Sequence, residues 1–207
     1  AYEISACLVG SEMCIRDRVN PYSAANVEQI EAALMQASSV RLNKSYRSTW
    51  EITQFSQQIL PNPELEAIKR PGEPPQVIRC ASRAQEYTKL AEALTAFADS
   101  EHNSLCVICK TQKQAARVHK ALSERSDVPL RLLDADSKSY SGGAIVCTAH
   151  LAKGLEFDQV LVFDVSAKNY HTQMDRHLLY VACTRAMHLL RLTYSGDPSP
   201  LLPEQVD

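Results

Sequence analysis

Apolar residues follow two rhythms along this chain: short solid runs, and longer stretches in which they recur every three or four positions. Solid runs bounded by turn residues read as strands buried on both faces, and the spaced stretches read as amphipathic helices. Residues 24–37 carry Val27, Ile30 and Leu34 near helical spacing, and a short apolar run at 40–42 follows. Ser48 and Glu51 have the spacing of a capping box, which predicts a helix through Ile52, Phe55 and Ile59 that Pro61 ends. A strand at 77–80 leads into a helix over 83–98, with Ser82 and Gln85 as a second box. Next come a strand at 105–109, a helix over 112–124 capped by Thr111, and strands at 130–133, 144–147 and 159–165. Gly142 and Gly143 introduce the second of those three strands. Residues 174–186 read as a helix and 189–194 as the last strand. Strands alternating with helices predict an α/β fold, a mostly parallel sheet flanked by helices.

This pattern fits a single domain over residues 19–195. Residues 61–75 contain five of the ten prolines and read as a linker too stiff and polar to be core. The tail 196–207 has three prolines and is expected to be flexible. Residues 1–18 are similar to the translation of a sequencing adapter, with an irregular terminus as the alternative, and no function is placed before Val19.

Composition narrows the classes. A chain of 207 residues with 45% hydrophobic content can bury a substantial core. No apolar run approaches the roughly 20 residues of a membrane span, so no membrane partner is expected. The net charge of -2 argues against coating nucleic acid by bulk charge, although a local basic stripe suffices for phosphate contacts. Seven cysteines, an odd count, fit reduced thiols in a cytoplasm better than a disulfide framework. Cys106 and Cys109 have C-x-x-C spacing, but on a strand residues three apart point to opposite faces. With no second pair, no metal site is expected.

Three stretches carry the candidate chemistry. Ser45-Tyr46-Arg47-Ser48-Thr49 lies on a strand-to-helix connection, where a guanidinium can fork onto phosphate oxygens and a ring can stack on a base. Thr148-Ala149-His150-Leu151-Ala152-Lys153-Gly154-Leu155-Glu156-Phe157-Asp158 offers hydroxyl, imidazole, ammonium and flexible backbone, the groups that hold nucleic-acid phosphates. In Leu178-Leu179-Tyr180-Val181-Ala182-Cys183-Thr184-Arg185-Ala186, a helix brings Tyr180, Thr184 and Arg185 near one another. Lys110, Lys113, Arg117 and Lys120 carry a weaker signal: the last three approximate one helix face, which reads first as solvated and second as a nucleic-acid or protein contact.

These stretches, in this order, resemble the last three motifs of the UvrD/Rep-type superfamily 1 helicases, over about residues 40–194. The resemblance implies a RecA-like fold of the P-loop NTPase type, the second such domain of an ATP-dependent DNA helicase. It implies that Tyr46 packs on adenine, that Arg47 and Arg185 reach the γ-phosphate and act in catalysis, and that Gly154 and Glu156 complete the nucleotide contacts, with Glu156 on the ribose. It places Thr148, His150 and Lys153 along single-stranded DNA. The phosphate loop and the carboxylate for Mg2+ would belong to an N-terminal RecA-like domain of the same protein, because no G-x-x-x-x-G-K-[ST] run can be written with this chain's six glycines. The chain by itself is therefore expected to hydrolyse no ATP.

UvrD and Rep insert a large helical subdomain between the first two of these motifs, whereas strands and helices of RecA type account for nearly all of that interval here. The compact spacing, the run Arg70-Pro71-Gly72-Glu73-Pro74-Pro75 and the run Asp175-Arg176-His177-Leu178-Leu179-Tyr180 look closer to the HelD-type branch, whose members use ATP to release RNA polymerase. A polymerase-recycling motor is thus the alternative. A non-catalytic RecA-like binding module is the third reading, although retention of both arginines argues against it.

Overall fold

The computed structural model describes residues 44–45, 47–63, 65–67, 69–134 and 142–203. The terminal segment 1–18, the helix expected at 24–37, the run at 40–42 and Tyr46 lie outside the described residues.

The core is a six-stranded sheet, every pairing parallel, in the order β3 (Gln76–Cys80), β8 (Ala186–Ser195), β7 (Phe157–Val162), β4 (Ser104–Cys109), β6 (Gly143–Thr148), β5 (Leu130–Leu132). The central strand β4 is buried at every position, as a strand covered on both faces must be. Its side chains alternate: Cys106 and Ile108 enter one apolar cluster, while Leu105, Val107 and Cys109 enter the other. Helices α1 (Trp50–Ile59) and α4 (Gln173–Cys183) cover the first face with Ile52, Ile59, Leu178 and Leu179. Helices α2 (Arg83–Ala98) and α3 (Gln112–Ser123) cover the second with Leu90, Leu94, Val118 and Leu122. The result is the α/β single domain that the alternating pattern predicts, with the RecA-like arrangement that the motif resemblance implies.

The C-x-x-C pair behaves as the strand period requires, with Cys106 and Cys109 on opposite faces. The sulfur near Cys106 is instead that of Cys147 on β6, 3.3 Å away, and burial pushes the Cys106 thiol well up. No cluster of three or more potential metal ligands occurs among the described residues. No described helix is long and apolar enough to cross a membrane.

Four local expectations change. The first helix is capped at Thr49, not Ser48, and without a side-chain cap bond. Ser48 Oγ donates instead to Ala186 O (2.6 Å), and the Glu51 carboxylate accepts from the Gly72 amide (2.9 Å), so both box residues are spent on long-range contacts. Residues 61–75 are not a free linker: β2 (Glu66–Ala67) pairs parallel with β1 (Lys44–Ser45), and Trp50 N donates to Arg70 O (2.8 Å). Proline stiffness there shapes a strap that docks on α1. The helix expected to reach residue 186 stops at Cys183, with Thr184 as its C-cap, and Ala186 already opens β8. Through residue 203 the tail is packed. Ser166 and Pro198 form an antiparallel bridge, Ser199 Oγ donates to Tyr170 O (2.6 Å), and Leu201 joins the core. Apolar Leu201 outweighs the prolines around it.

By contrast, the cap at Thr111 is a full box with Gln114, and Gly142 and Gly143, with φ of 87° and 83°, make the turn into β6. The Ser82 box is half formed. Ser82 accepts from the Gln85 amide, and the Gln85 side chain accepts from the Ala81 amide instead of returning to Ser82.

A candidate nucleotide and nucleic-acid site

The loop that follows β6 crosses one face of the sheet and enters β7 from below. Thr148 therefore stands at the carboxyl end of β6, while Glu156 stands at the amino end of β7. Gly154, with φ of 81°, makes the turn between them in a conformation that side chains disfavour. Arg185 precedes β8 as Glu156 precedes β7, and the two strands start as a pair, with Phe157 opposite Ala186. The Phe157 amide donates to Arg185 O (3.0 Å), so the register of the sheet sets both residues side by side.

Arg47 reaches the same place from the other end of the chain. Its Nε pairs with the Glu156 carboxylate. The backbone behind it is pinned to the start of β8 by Ser48 Oγ on Ala186 O and by the Thr49 amide on Met187 O (3.3 Å). Arg185 donates from Nη1 to Leu155 O (3.5 Å), from Nε to Val181 O (3.2 Å) and from Nη2 to Thr184 Oγ1 (3.3 Å). Two arginines distant in sequence thus meet on either side of the Leu155–Glu156 dipeptide. They do so at the amino ends of β7 and β8, not at the carboxyl ends where open α/β sheets usually place ligands.

Their environments differ. Arg185 is 2% exposed, and a guanidinium so buried holds a fixed direction. In the Arg47–Glu156 pair the side chains are 29% and 42% exposed, so solvent screens it. Glu156→Gln is expected to change unfolding free energy by less than about 0.5 kcal/mol, measured by urea denaturation. A larger loss would mean the pair is structural.

A small pocket is lined by Arg47, Ser48, Thr53, Ser56, Gln57, Leu65, Tyr180 and Thr184. Tyr180 is buried, and the Thr184 hydroxyl donates back to Tyr180 O and Val181 O (3.0 Å each), which closes the last turn of α4 on itself.

At the opposite, carboxyl edge of the sheet, Thr148 Oγ1 accepts from the Leu151 amide (3.4 Å), and the Ala149 amide donates to Cys109 O (3.3 Å). His150 and Lys153 project from this turn and are exposed. Lys110 is no part of an open basic face: its ammonium pairs with Asp175 (2.5 Å) and also reaches Asn169 O. Lys113, Arg117 and Lys120 are exposed on α3.

Sequence reasoning missed Arg70 and His188. Arg70 Nη1 donates to Arg47 O (3.3 Å), and its Nη2 lies 3.0 Å from both ring nitrogens of His188. The signal was present in the Arg70-Pro71-Gly72 run, but proline content argued for a linker.

Comparison with known proteins identifies the family. Two models described as the UvrD-like helicase C-terminal domain match residues 40–141 and 143–193. The C-terminal domain of a possible DNA helicase from Lactobacillus plantarum WCFS1 is 36% identical, with a TM-score of 0.64, over 76% of this chain and 91% of that one. An arterivirus nonstructural protein 10 helicase with DNA (13% identity, TM-score 0.41, 64% of this chain and 32% of that one) is too dissimilar to argue from. The same holds for the UvsW helicase of bacteriophage T4 (9% identity, TM-score 0.40, 83% of this chain and 61% of that one). No curated protein matches the chain. Matched over both halves, and carrying its motif residues on one folded sheet, the chain belongs to the UvrD-like helicase C-terminal domain family.

Proposed function

We propose that this domain forms one wall of an ATP site in a DNA helicase or translocase, and that hydrolysis there drives movement along single-stranded DNA. The observation that carries this reading is the meeting of Arg47, Glu156 and Arg185 around a single dipeptide. A preceding RecA-like domain would supply the phosphate loop and the carboxylate that holds Mg2+. Water then adds to the γ-phosphorus as the bond to the bridging oxygen breaks. ADP leaves with that bond pair, and a proton passes to solvent. Arg185 and Arg47 stabilise the charge that grows on the phosphoryl oxygens, with little covalent chemistry left for the protein. For this to happen Arg47 must exchange its Glu156 partner for a phosphate, which frees the carboxylate for the ribose. Tyr46 would stack on adenine, and Gly154 would let the backbone approach the nucleotide.

Thr148, His150 and Lys153 would contact single-stranded DNA at the carboxyl edge. One loop then runs from the nucleic-acid contact to the nucleotide contact, a physical route for coupling them.

A second reading, an ATP-driven motor acting on RNA polymerase, draws support from the strap at Arg70 and from the compact run of α2, β4, α3, β5 and β6 between the first two motifs. The chain alone is expected to show no DNA-stimulated ATPase, since it has no phosphate loop, and joining it to its phosphate-loop domain is expected to give one. Turnover by the isolated chain contradicts the proposal. A joined protein stimulated by RNA polymerase and not by single-stranded DNA selects the second reading.

A further inference from the structure

The amino edge of the sheet holds a second polar cluster beside the arginines. His102, just before β4, stacks on His188 of β8 with ring centroids 5.1 Å apart. His102 Nδ1 lies 2.8 Å from Gln159 Nε2, and Asp158 Oδ1 lies 3.8 Å from His188 Nε2. Asp158 Oδ2 is taken up by the amides of Asn103 and Ser104 and by Ser104 Oγ. Into this cluster the strap inserts Arg70.

We propose that Arg70 is a positioning residue for Arg47: anchored on the His188 ring, it clamps residues 47–51 against the start of β8 and so aims the Arg47 guanidinium. The inference rests on the phosphate role proposed for Arg47. Four contacts build the clamp. Arg70 Nη1 donates to Arg47 O, and Arg70 O accepts from the Trp50 amide. The Gly72 amide donates to Glu51. Finally, a Cβ at position 72 would lie 2.3 Å from Thr49 Cγ2, so only glycine lets the strap approach this closely. From the other side Ala186 O and Met187 O hold Ser48 and Thr49. The backbone from which the Arg47 side chain projects is thus held, and Arg70 itself touches no reacting atom.

The anchor has a chemical condition. Arg70 can only donate, so a ring nitrogen of His188 must be free to accept. The groups facing His188 are Arg70 from the strap, His102 from the turn before β4 and Asp158 from β7. Burial, then Arg70 and His102, hold its pKa below the usual histidine range, against the pull of Asp158. Protonation removes the acceptor, repels Arg70 and favours Asp158, so the clamp loosens as pH falls through that lowered value.

The test combines amide exchange on the 207-residue chain with turnover of the full-length protein. In Arg70→Ala, the Thr49 and Trp50 amides are expected to exchange at least about tenfold faster at neutral pH, while β4 and β7 amides keep their protection. Arg70→Lys is expected to recover part of the effect. In the parent chain, protection at Thr49 and Trp50 should fall on acidification, and His188→Gln should remove that dependence. In the full-length protein, Arg70→Ala should lower turnover, yet lower it no further in an Arg47→Ala background, because both substitutions act through one guanidinium. Unchanged protection at Thr49 and Trp50, a uniform loss across the sheet, or additive losses in turnover would each overturn the proposal. Normal turnover of Arg47→Ala alone would instead sink the phosphate role of Arg47 and leave the exchange result to stand by itself.

Discussion

Replacing Arg185 by lysine in a protein that carries both the phosphate loop and this domain is expected to lower DNA-stimulated ATP hydrolysis between about tenfold and a thousandfold. The size follows from the residue's role and setting. A guanidinium presents its donors as a rigid planar fork, and lysine keeps the charge but loses the fork. Arg185 is buried and fixed by Leu155 O, Val181 O and Thr184 Oγ1, so its direction is set before nucleotide arrives. Preorganised charge of this kind acts without reorganisation at the moment of bond breaking. The same bonds hold the end of α4 to the β7 entry. Truncation to alanine would therefore also leave buried acceptors under-satisfied, at about 1–3 kcal/mol. Lysine is the better probe for that reason. Steady-state ATPase with and without single-stranded DNA, paired with urea midpoints, separates the two effects. A variant that folds normally and turns over at the parent rate removes Arg185 from the chemistry.

Asp175→Ala is expected to destabilise the domain by about 2–4 kcal/mol. The Asp175 carboxylate is buried at the start of α4, where Oδ2 accepts from the His171 and Thr172 amides (3.0 Å each) and Oδ1 pairs with Lys110. Removing it loses the reciprocal half of a capping box and leaves the Lys110 ammonium at the β4 exit without its carboxylate. Lys110 keeps some contact with water, which places the loss below the full value for a wholly buried pair. Burial by itself would raise this carboxylate's pKa, but the bonds from Lys110, His171 and Thr172 outweigh it and pull the pKa down to about 2. A carboxylate whose pKa is lower folded than unfolded stabilises the fold above the ordinary carboxylate range and loses that contribution as pH drops toward 2. Parent stability should therefore fall between about pH 4 and pH 2 by more than that of Asp175→Ala. Urea unfolding at neutral pH and across the acid range measures both the offset and the difference in slope. Parallel acid profiles would mean that the charge of Asp175 contributes nothing.

How much was legible in the sequence depends on the range of each interaction. Strands β4 and β6, and β7 beyond Gln159, announce themselves because a strand segment covered on both faces reads as a solid apolar run. The cap at Thr111 is equally plain, since its partner Gln114 lies three residues away. Ser48 and Glu51 show the opposite case: their spacing fits a local box, yet partners from β8 and the strap took both side chains. Local rules describe what a side chain could do if nothing distant competes. Prolines misled in the same way. Between Pro61 and Pro75 they were read as stiffness without packing, whereas the strap they shape is held by Arg70 and Gly72. In the tail, Leu201 finds an apolar surface that sequence spacing cannot reveal. The carboxylate Glu86, fully buried on α2 against Thr193 of β8, left no signal either, for it sits among ordinary exposed helix residues in the sequence.

For the candidate site, residue identity and order carried the reading, while geometry added what order could not. Order suggested that Arg47, Glu156 and Arg185 belong together. The paired starts of β7 and β8 explain how, because adjacent parallel strands begin at one edge and bring their leading residues with them. Order also grouped Lys110 with Lys113, Arg117 and Lys120, yet Asp175 takes Lys110 out of that surface. The burial of Arg185 was not legible at all, since an arginine among Arg176, His177, His188 and Arg191 carries no sequence signal of a covered guanidinium.

The central claim is that Arg47 leaves Glu156 and joins the preorganised Arg185 at one phosphoryl group. A crystal structure of the full-length protein with ADP, magnesium and aluminium fluoride, which mimics the phosphoryl group in flight, tests it most directly. The account predicts both guanidinium groups within hydrogen-bond distance of the fluoride, with Glu156 released from Arg47 and turned to the ribose. Arg47 still bound to Glu156, with the fluoride contacted by neither arginine, would contradict it.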